Sequence, residues 1–246
     1  MKISVVIPAY NEENYIGACL KSVLREARCC GAEAEVLVVN NASTDRTREV
    51  ACRYPGVRVV DEPCKGLSSA RNRGYLESRG ELVVNVDADC IMPRGYLAQV
   101  IRSFRTDRRL ALLTGPFFYY DLPQVSQIVT IIFYLFQFVP NTIGQRILKV
   151  GAVAQGGNFT ARRSALQKVG GYDTSLTFYG EDTDIAIRLS RVGLVRFSFR
   201  LPMKTSARRL RREGVLRAGT LYTLNIIFMI IKGRPLTRTH LDVRVV

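Results

Sequence analysis

The chain has 246 residues, 47% of them hydrophobic and 23% charged, which supplies a core for one large α/β domain and excludes global disorder. Its formal net charge of +15 attracts polyanions: nucleic acid, anionic lipid headgroups or phosphorylated small molecules. Six cysteines form no CxxC pair, and the single histidine, His240, cannot complete a Cys/His zinc site.

In chain order, Ile3 to Ile7, Val36 to Val39, Val57 to Val60, Leu82 to Val86 and Leu110 to Leu113 are short Val/Ile/Leu-rich runs without clean alternation. Strands buried on both faces read this way, and they predict a mostly parallel sheet. Helices are predicted between them. Asn11 is a candidate N-cap, Glu12 and Glu13 suit the positive end of a helix dipole, and Ile16, Leu20, Val23, Leu24 and Ala27 repeat at helical spacing. A second helix is predicted to start near Ser43 to Asp45, and a third to run from Gly66 to Gly80. Later, a helix is predicted from Asp184 to Val192 and a strand from Leu194 to Phe199. Strand–helix repetition implies an open α/β sheet, whose ligands bind beyond the carboxyl ends of the strands.

No apolar run reaches the ~20 residues that span a bilayer. Ile128 to Val139 is predicted to be an interfacial helix ended by Pro140, in a region crowded with Tyr119, Tyr120, Phe133, Tyr134, Phe136 and Phe138. Ten Lys or Arg residues and one acid, Glu213, lie between Arg188 and Arg217, and the apolar run Leu221 to Ile231 follows. A basic stretch beside an apolar one predicts attachment to a membrane surface rather than passage through it. Met1 leads straight into a strand, so no leader is expected, and reduced thiols fit a cytoplasmic protein on the cytosolic face of the membrane. The sequons at Asn41 and Asn158 are then coincidental.

The segments after the strands carry the chemistry. Pro8-Ala9-Tyr10-Asn11-Glu12 follows the first and Asn40-Asn41-Ala42-Ser43-Thr44-Asp45 the second. An Asn amide there can match a pyrimidine edge, although turn formation and N-capping account for such loops as well. Lys65-Gly66 opens the third helix, which carries Arg71 and Arg73, and free amides beside cations suit phosphate, although surface charge accounts for these residues as well. Asp87-Ala88-Asp89 is the sharpest feature. Two carboxylates at the end of a buried strand need a compensating cation or hydrogen bonds, and if a cation fills that place, hard oxygen donors suit Mg²⁺ or Mn²⁺. Gly180-Glu181-Asp182-Thr183-Asp184 is a second acidic group at a helix start; it can cap that helix or deprotonate an acceptor hydroxyl.

Taken together, PAYNEE (8–13), NNASTD (40–45), KGLSSARNRG (65–74), DAD (87–89), GGN (156–158), GED (180–182) and TSARR (205–209) resemble family 2 glycosyltransferases of GT-A fold. The resemblance covers nearly the whole chain. It implies an α/β fold with an open, mostly parallel sheet flanked by helices, a UDP- or GDP-sugar donor, a divalent metal and inversion at the anomeric carbon. By position it implies that Pro8, Ala9, Tyr10, Glu12, Asn41 and Arg71 hold base and ribose, with Lys65 and Ala88 in the same nucleotide site. Asp87 would face ribose or metal, and Asp89 would bind the metal. Gly157 and Asn158 would shape the acceptor and sugar pocket, with Arg208 and Arg209 on that side and within reach of the diphosphate. Asp182 would be the catalytic base, with Glu181 beside it positioning the acceptor. Asn40-Asn41 stands where many members carry acids, which leaves UDP and GDP both open. His240 lies where no family motif places a metal-binding histidine.

The expected organisation is one GT-A domain over 1–217, with a nucleotide-binding half (1–115) and an acceptor half (116–217), followed by a membrane-associating segment (218–246). The acceptor is expected to be a saccharide or a lipid-linked molecule, with peripheral membrane contact and no nucleic acid. Other readings are a sugar-phosphate nucleotidyltransferase, for which PAYNEE lacks the phosphate-loop glycines, a basic nucleic-acid- or anionic-surface-binding protein, and a relative that binds donor without turnover.

Overall fold

The computed structural model describes residues 1–143, 154–176 and 179–237; His240 and the end of the 218–246 segment lie outside them. The elements are β1 (Ile3–Ala9), α1 (Ile16–Cys29), β2 (Ala34–Asn40), α2 (Thr47–Cys52), β3 (Val57–Asp61), α3 (Leu67–Glu77), β4 (Leu82–Val86), α4 (Tyr96–Thr106) and β5 (Leu110–Thr114). After them come β6 (Phe117–Tyr119), α5 (Gln124–Ile143), β7 (Asn158–Arg162), α6 (Arg163–Lys168), α7 (Glu181–Ser190), β8 (Leu194–Phe197), β9 (Met203–Thr205), α8 (Arg208–Glu213) and α9 (Val215–Lys232).

Among the described residues, seven strands form one sheet in the order β3-β2-β1-β4-β7-β5-β8, and only β7 runs antiparallel, between β4 and β5. β6 and β9 make a separate parallel pair. Strand period explains the unbroken apolar runs. Val5, Ile7, Val36, Val38 and Val84 face a core closed by Ile16, Leu20 and Val23 of α1 and Leu97, Val100 and Phe104 of α4. Val6, Leu37, Val39 and Val83 face a second core closed by Ala70 of α3, Leu166 of α6 and Ile185 and Leu189 of α7. Helices cover both faces, so neither face of these strands needs polar residues. β1 joins β2 on one side and β4 on the other, so the strand order reverses there and a crevice opens at the carboxyl ends.

Three local expectations change. Asn11 does not cap α1: it has a positive φ of 50°, and α1 starts at Ile16. Its amide instead receives Thr44 N–H at 2.9 Å and donates to Thr44 Oγ1 at 3.2 Å, tying the β1 loop to the β2 loop. α3 ends at Glu77 rather than at Gly80, whose absent side chain lets its backbone lie against Ser4 of β1; an added Cβ would meet Ser4 N at 2.5 Å. α5 runs through Pro140 to Ile143; a proline removes one intrahelical bond and strains a turn without always ending a helix.

α9 also starts earlier than the apolar run suggested, at Val215, and reaches 18 residues with a mean hydropathy of 1.4 and one-sixth (17%) of that stretch buried. By length and composition alone this helix is long and apolar enough to cross a membrane, at about 27 Å for 1.5 Å per residue. α9 packs on α5, α7 and α8, and its buried residues are Ala218, Asn225 and Met229. Ile128, Ile131, Ile132 and Leu135 on α5, and Leu224, Ile227 and Ile231 on α9, are exposed.

Candidate active site

The crevice is a cleft of about 500 Å³ between the carboxyl ends of β1, β2 and β4 on one side and β9, α8 and α9 on the other. Into it the fold brings nearly every residue singled out from the sequence: Pro8, Ala9, Tyr10 and Glu12; Asn41; Lys65 and Arg71; Asp87, Ala88 and Asp89; Glu181 and Asp182; Arg208 and Arg209. Gly157 and Asn158 are the exceptions, because they build the cleft from behind. The Asn158 side chain is fully buried; it accepts from Tyr96 Oη at 2.7 Å and donates to the carbonyls of Pro116 and Leu201 at 3.0 and 3.2 Å. Gly157 adopts φ +75°, and an added Cβ would meet Asp87 Cγ at 2.2 Å. The residues of that stretch that do reach the cleft are Gln155 and Gly156.

Arg71 is not a surface phosphate grip. Its side chain is 0% exposed, and its guanidinium is divided between Glu181 and Asp87, the latter at 3.0 Å, above the ring of Phe159. It therefore joins the end of β4 to the start of α7. Its Nε and Glu181 Oε2 are buried without a hydrogen-bond partner. Burial opposes the charge on Arg71, but the two carboxylates hold it protonated. Glu181 is pushed up to about 7, chiefly by burial and further by Asp182 and Asp87, with Arg71 pulling the other way. Asp182 is also raised, by burial first, against Arg71 and two backbone donors. Those donors fix its orientation: Gly156 N–H reaches Oδ2 at 3.1 Å and Thr183 N–H reaches Oδ1 at 2.7 Å.

The nucleotide side is tied together by side chains too. Asn41 donates to the carbonyls of Glu62 and Cys64 and accepts from Gly66 N–H at 2.8 Å, so its amide shapes the approach to α3 rather than presenting a free edge to a base. Lys65 Nζ donates to Tyr10 Oη at 2.7 Å.

The opposite wall contains residues the sequence reading did not single out. Asp121 accepts Ser206 Oγ–H at 3.0 Å and Ala207 N–H at 2.6 Å, which fixes the TSARR loop. Thr205 Oγ donates to Asp89 at 3.3 Å. Arg208 lies against both Glu12 and Asp89, the latter at 3.3 Å. Arg209 instead turns to α9, donating to Tyr222 Oη at 3.0 Å, and Tyr222 packs edge-on to Tyr179 with ring centroids 5.6 Å apart. Gly180, at φ +83°, leaves room for Met229 of α9; an added Cβ would come within 2.7 Å of it. No sequence signal ties an aspartate at 121 or a tyrosine at 222 to loops so far away in the chain.

Residues 4–170 match the model of Glycosyl transferase family 2. The chain belongs to this family.

Among curated relatives, the probable glycosyltransferase YdaM of Bacillus subtilis (strain 168) is 30% identical over 202 residues, which is 78% of this chain and 47% of YdaM. The dolichol-phosphate mannosyltransferase of Pyrococcus furiosus is 32% identical over 116 residues, 46% of this chain and 32% of that protein. The chain thus spans half or less of the length of these relatives. Among solved structures, the mannosyltransferase PcManGT from Pyrobaculum calidifontis, in complex with GDP-Man and Mn²⁺, superposes with a TM-score of 0.66 at 24% identity over 87% of this chain and 61% of that one. TarS 1–349 of S. aureus superposes at 0.63 and 19% identity over 92% of this chain and 66% of that one. The fold is therefore the GT-A type.

Proposed function

We propose that this family-2 glycosyltransferase moves a sugar from a UDP- or GDP-sugar to a hydroxyl or phosphate of a saccharide or lipid-linked acceptor, inverting the anomeric carbon. One observation carries the reading: Asp182, turned by two backbone donors and raised by burial, shares a cleft with the Asp87–Asp89 pair and with the loops after β1 and β2. The PcManGT and TarS structures solved with GDP-Man and UDP-GlcNAc support a nucleotide-sugar donor.

In this account Tyr10, Lys65 and Asn41 frame the base and ribose, and Ala88 and Asp87 lie beneath the diphosphate. Two carboxylates rather than a closed cage suit Mg²⁺ or Mn²⁺, which keep waters and phosphate oxygens in their shell. Arg208, a cation already lying against Asp89, marks that side chain as a seat for positive charge. When bound there, a divalent ion neutralises the charge that develops on the departing diphosphate. Asp182 takes the acceptor O–H proton, the acceptor oxygen bonds to the anomeric carbon, and the bond from that carbon to the diphosphate breaks. Glu181, held by Arg71 beside Asp182, positions the acceptor.

The apolar faces of α5 and α9 support a peripheral membrane position, and α9 also walls the acceptor side of the cleft through Val215, Gly219 and Asn225. We place the protein on the cytosolic face, in keeping with its six free thiols. The 1–217 and 218–246 division becomes a functional one, with α9 belonging to both parts. Incubation with labelled UDP- and GDP-sugars and detergent-dispersed membrane lipid tests the reading. Sugar should appear in the lipid extract with inverted anomeric configuration by NMR; retained configuration would overturn the direct displacement.

A further inference from the structure

Arg208 occupies an unusual position for a residue expected to face the acceptor. Only 15% of its side chain is exposed, its guanidinium contacts Glu12 and lies 3.3 Å from Asp89, and it stacks 4.5 Å from the ring centroid of Tyr15. Glu12 is 3% exposed. The backbone that carries Arg208 is fixed as well. Asp121 anchors Ser206 and Ala207 just before it, Thr205 donates to the same Asp89, and Arg208 is the first residue of α8, which passes through Gly214 into α9. The protein's own cation therefore sits on the carboxylate that would take a divalent ion. Asp89 cannot give full charge to both, because two cations on one carboxylate repel each other at short range.

We propose that Arg208 is an internal counter-ion that competes with the divalent cation for Asp89, so that the free enzyme holds metal weakly and binds it tightly only together with the nucleoside diphosphate. This rests on the reading of Asp89 as a metal ligand. A diphosphate changes the balance for two reasons. It adds negative charge beside Asp89 for the metal, and it offers the guanidinium phosphate oxygens, for which a planar fork is well matched. Arg208, as the first residue of α8, thereby joins the donor site to the α8–α9 wall.

The test is Mn²⁺ binding, followed by electron paramagnetic resonance of the free ion, with and without UDP or GDP. The proteins are wild type, R208Q, R208K and D89A, each checked for folding by thermal melt. Without nucleotide, R208Q is expected to bind Mn²⁺ at least about tenfold more tightly than wild type. R208K, which keeps the charge but not the fork that spans both carboxylates, should fall between. The enhancement of Mn²⁺ binding by nucleotide should shrink in the same order. If R208Q does not fold, R208K alone decides by the same comparison. Mn²⁺ affinity in the folded Arg208 variants equal to or weaker than wild type, with D89A still abolishing nucleotide-dependent Mn²⁺ binding, overturns the competition and leaves the metal reading standing. D89A with unchanged Mn²⁺ affinity, with and without nucleotide, removes the metal reading and this inference with it.

Discussion

Replacing Arg71 by Met isolates the interaction that joins the two acidic motifs. The side chain is 0% exposed and is ion-paired to Glu181 and Asp87, so the substitution keeps most of the volume and leaves two carboxylates without their cation. Removing one partner of a buried ion pair costs about 3–5 kcal/mol. At roughly 2–4 °C per kcal/mol for a chain of this length, that is a melting point lower by roughly 6–20 °C. The loss should depend on pH. Glu181 is raised to about 7, so the native state binds a proton that the unfolded chain releases near 4.5, and stability falls as pH rises through that interval. Without Arg71, which pulls this value down, the native value climbs further, and the mutant goes on losing stability above pH 7 where wild type has levelled off. Urea denaturation at pH 6 and pH 9 should therefore show a larger deficit at pH 9. A deficit below about 1 kcal/mol, or one equal at the two pH values, would refute the account of this cluster.

Asp182→Asn should lower transfer about 10²–10⁴-fold while donor affinity, read by calorimetry, stays within a few-fold of wild type. Because Asp182 must be ionised to act and its value is raised, kcat/KM should fall on the acid side at a pH above that of an ordinary aspartate. Gly157→Ala should cost about 1–2 kcal/mol for its left-handed backbone and, by driving a Cβ into Asp87, should weaken metal-dependent nucleotide binding; an unperturbed affinity would detach Gly157 from the site. The pair I227E/I231E, on the exposed face of α9, should abolish flotation with anionic vesicles while sparing nucleotide binding, and continued flotation would move the membrane contact elsewhere.

Much of this architecture is legible in the residues. The five first strands fall where the Val/Ile/Leu runs are, because strands covered on both faces leave an unbroken apolar signature. The acidic motifs fall at strand and helix ends, where the sheet needs its ligand groups. What the sequence hides is long-range pairing. Arg71 looks like a phosphate-binding arginine beside a helix start, yet it is consumed by Glu181, 110 positions away. Asn158 looks like a pocket residue but spends its amide on Pro116 and Leu201. Asn11 carries a cap signature that the positive φ and the bond to Thr44 override. The apolar run Leu221 to Ile231 marks only part of α9, because Arg217, Gly219 and Thr220 precede it in the same helix.

The central claim is that the crevice at the ends of β1, β2 and β4 binds a nucleoside diphosphate with a divalent ion on Asp89. Calorimetric titration of wild type and D89A with UDP and with GDP, each with and without Mn²⁺, tests it most directly. Wild type should bind one of the two nucleotides in a Mn²⁺-dependent manner, and D89A should lose that dependence. Failure of wild type to bind either nucleotide in the presence of Mn²⁺, or identical binding by D89A, would contradict it.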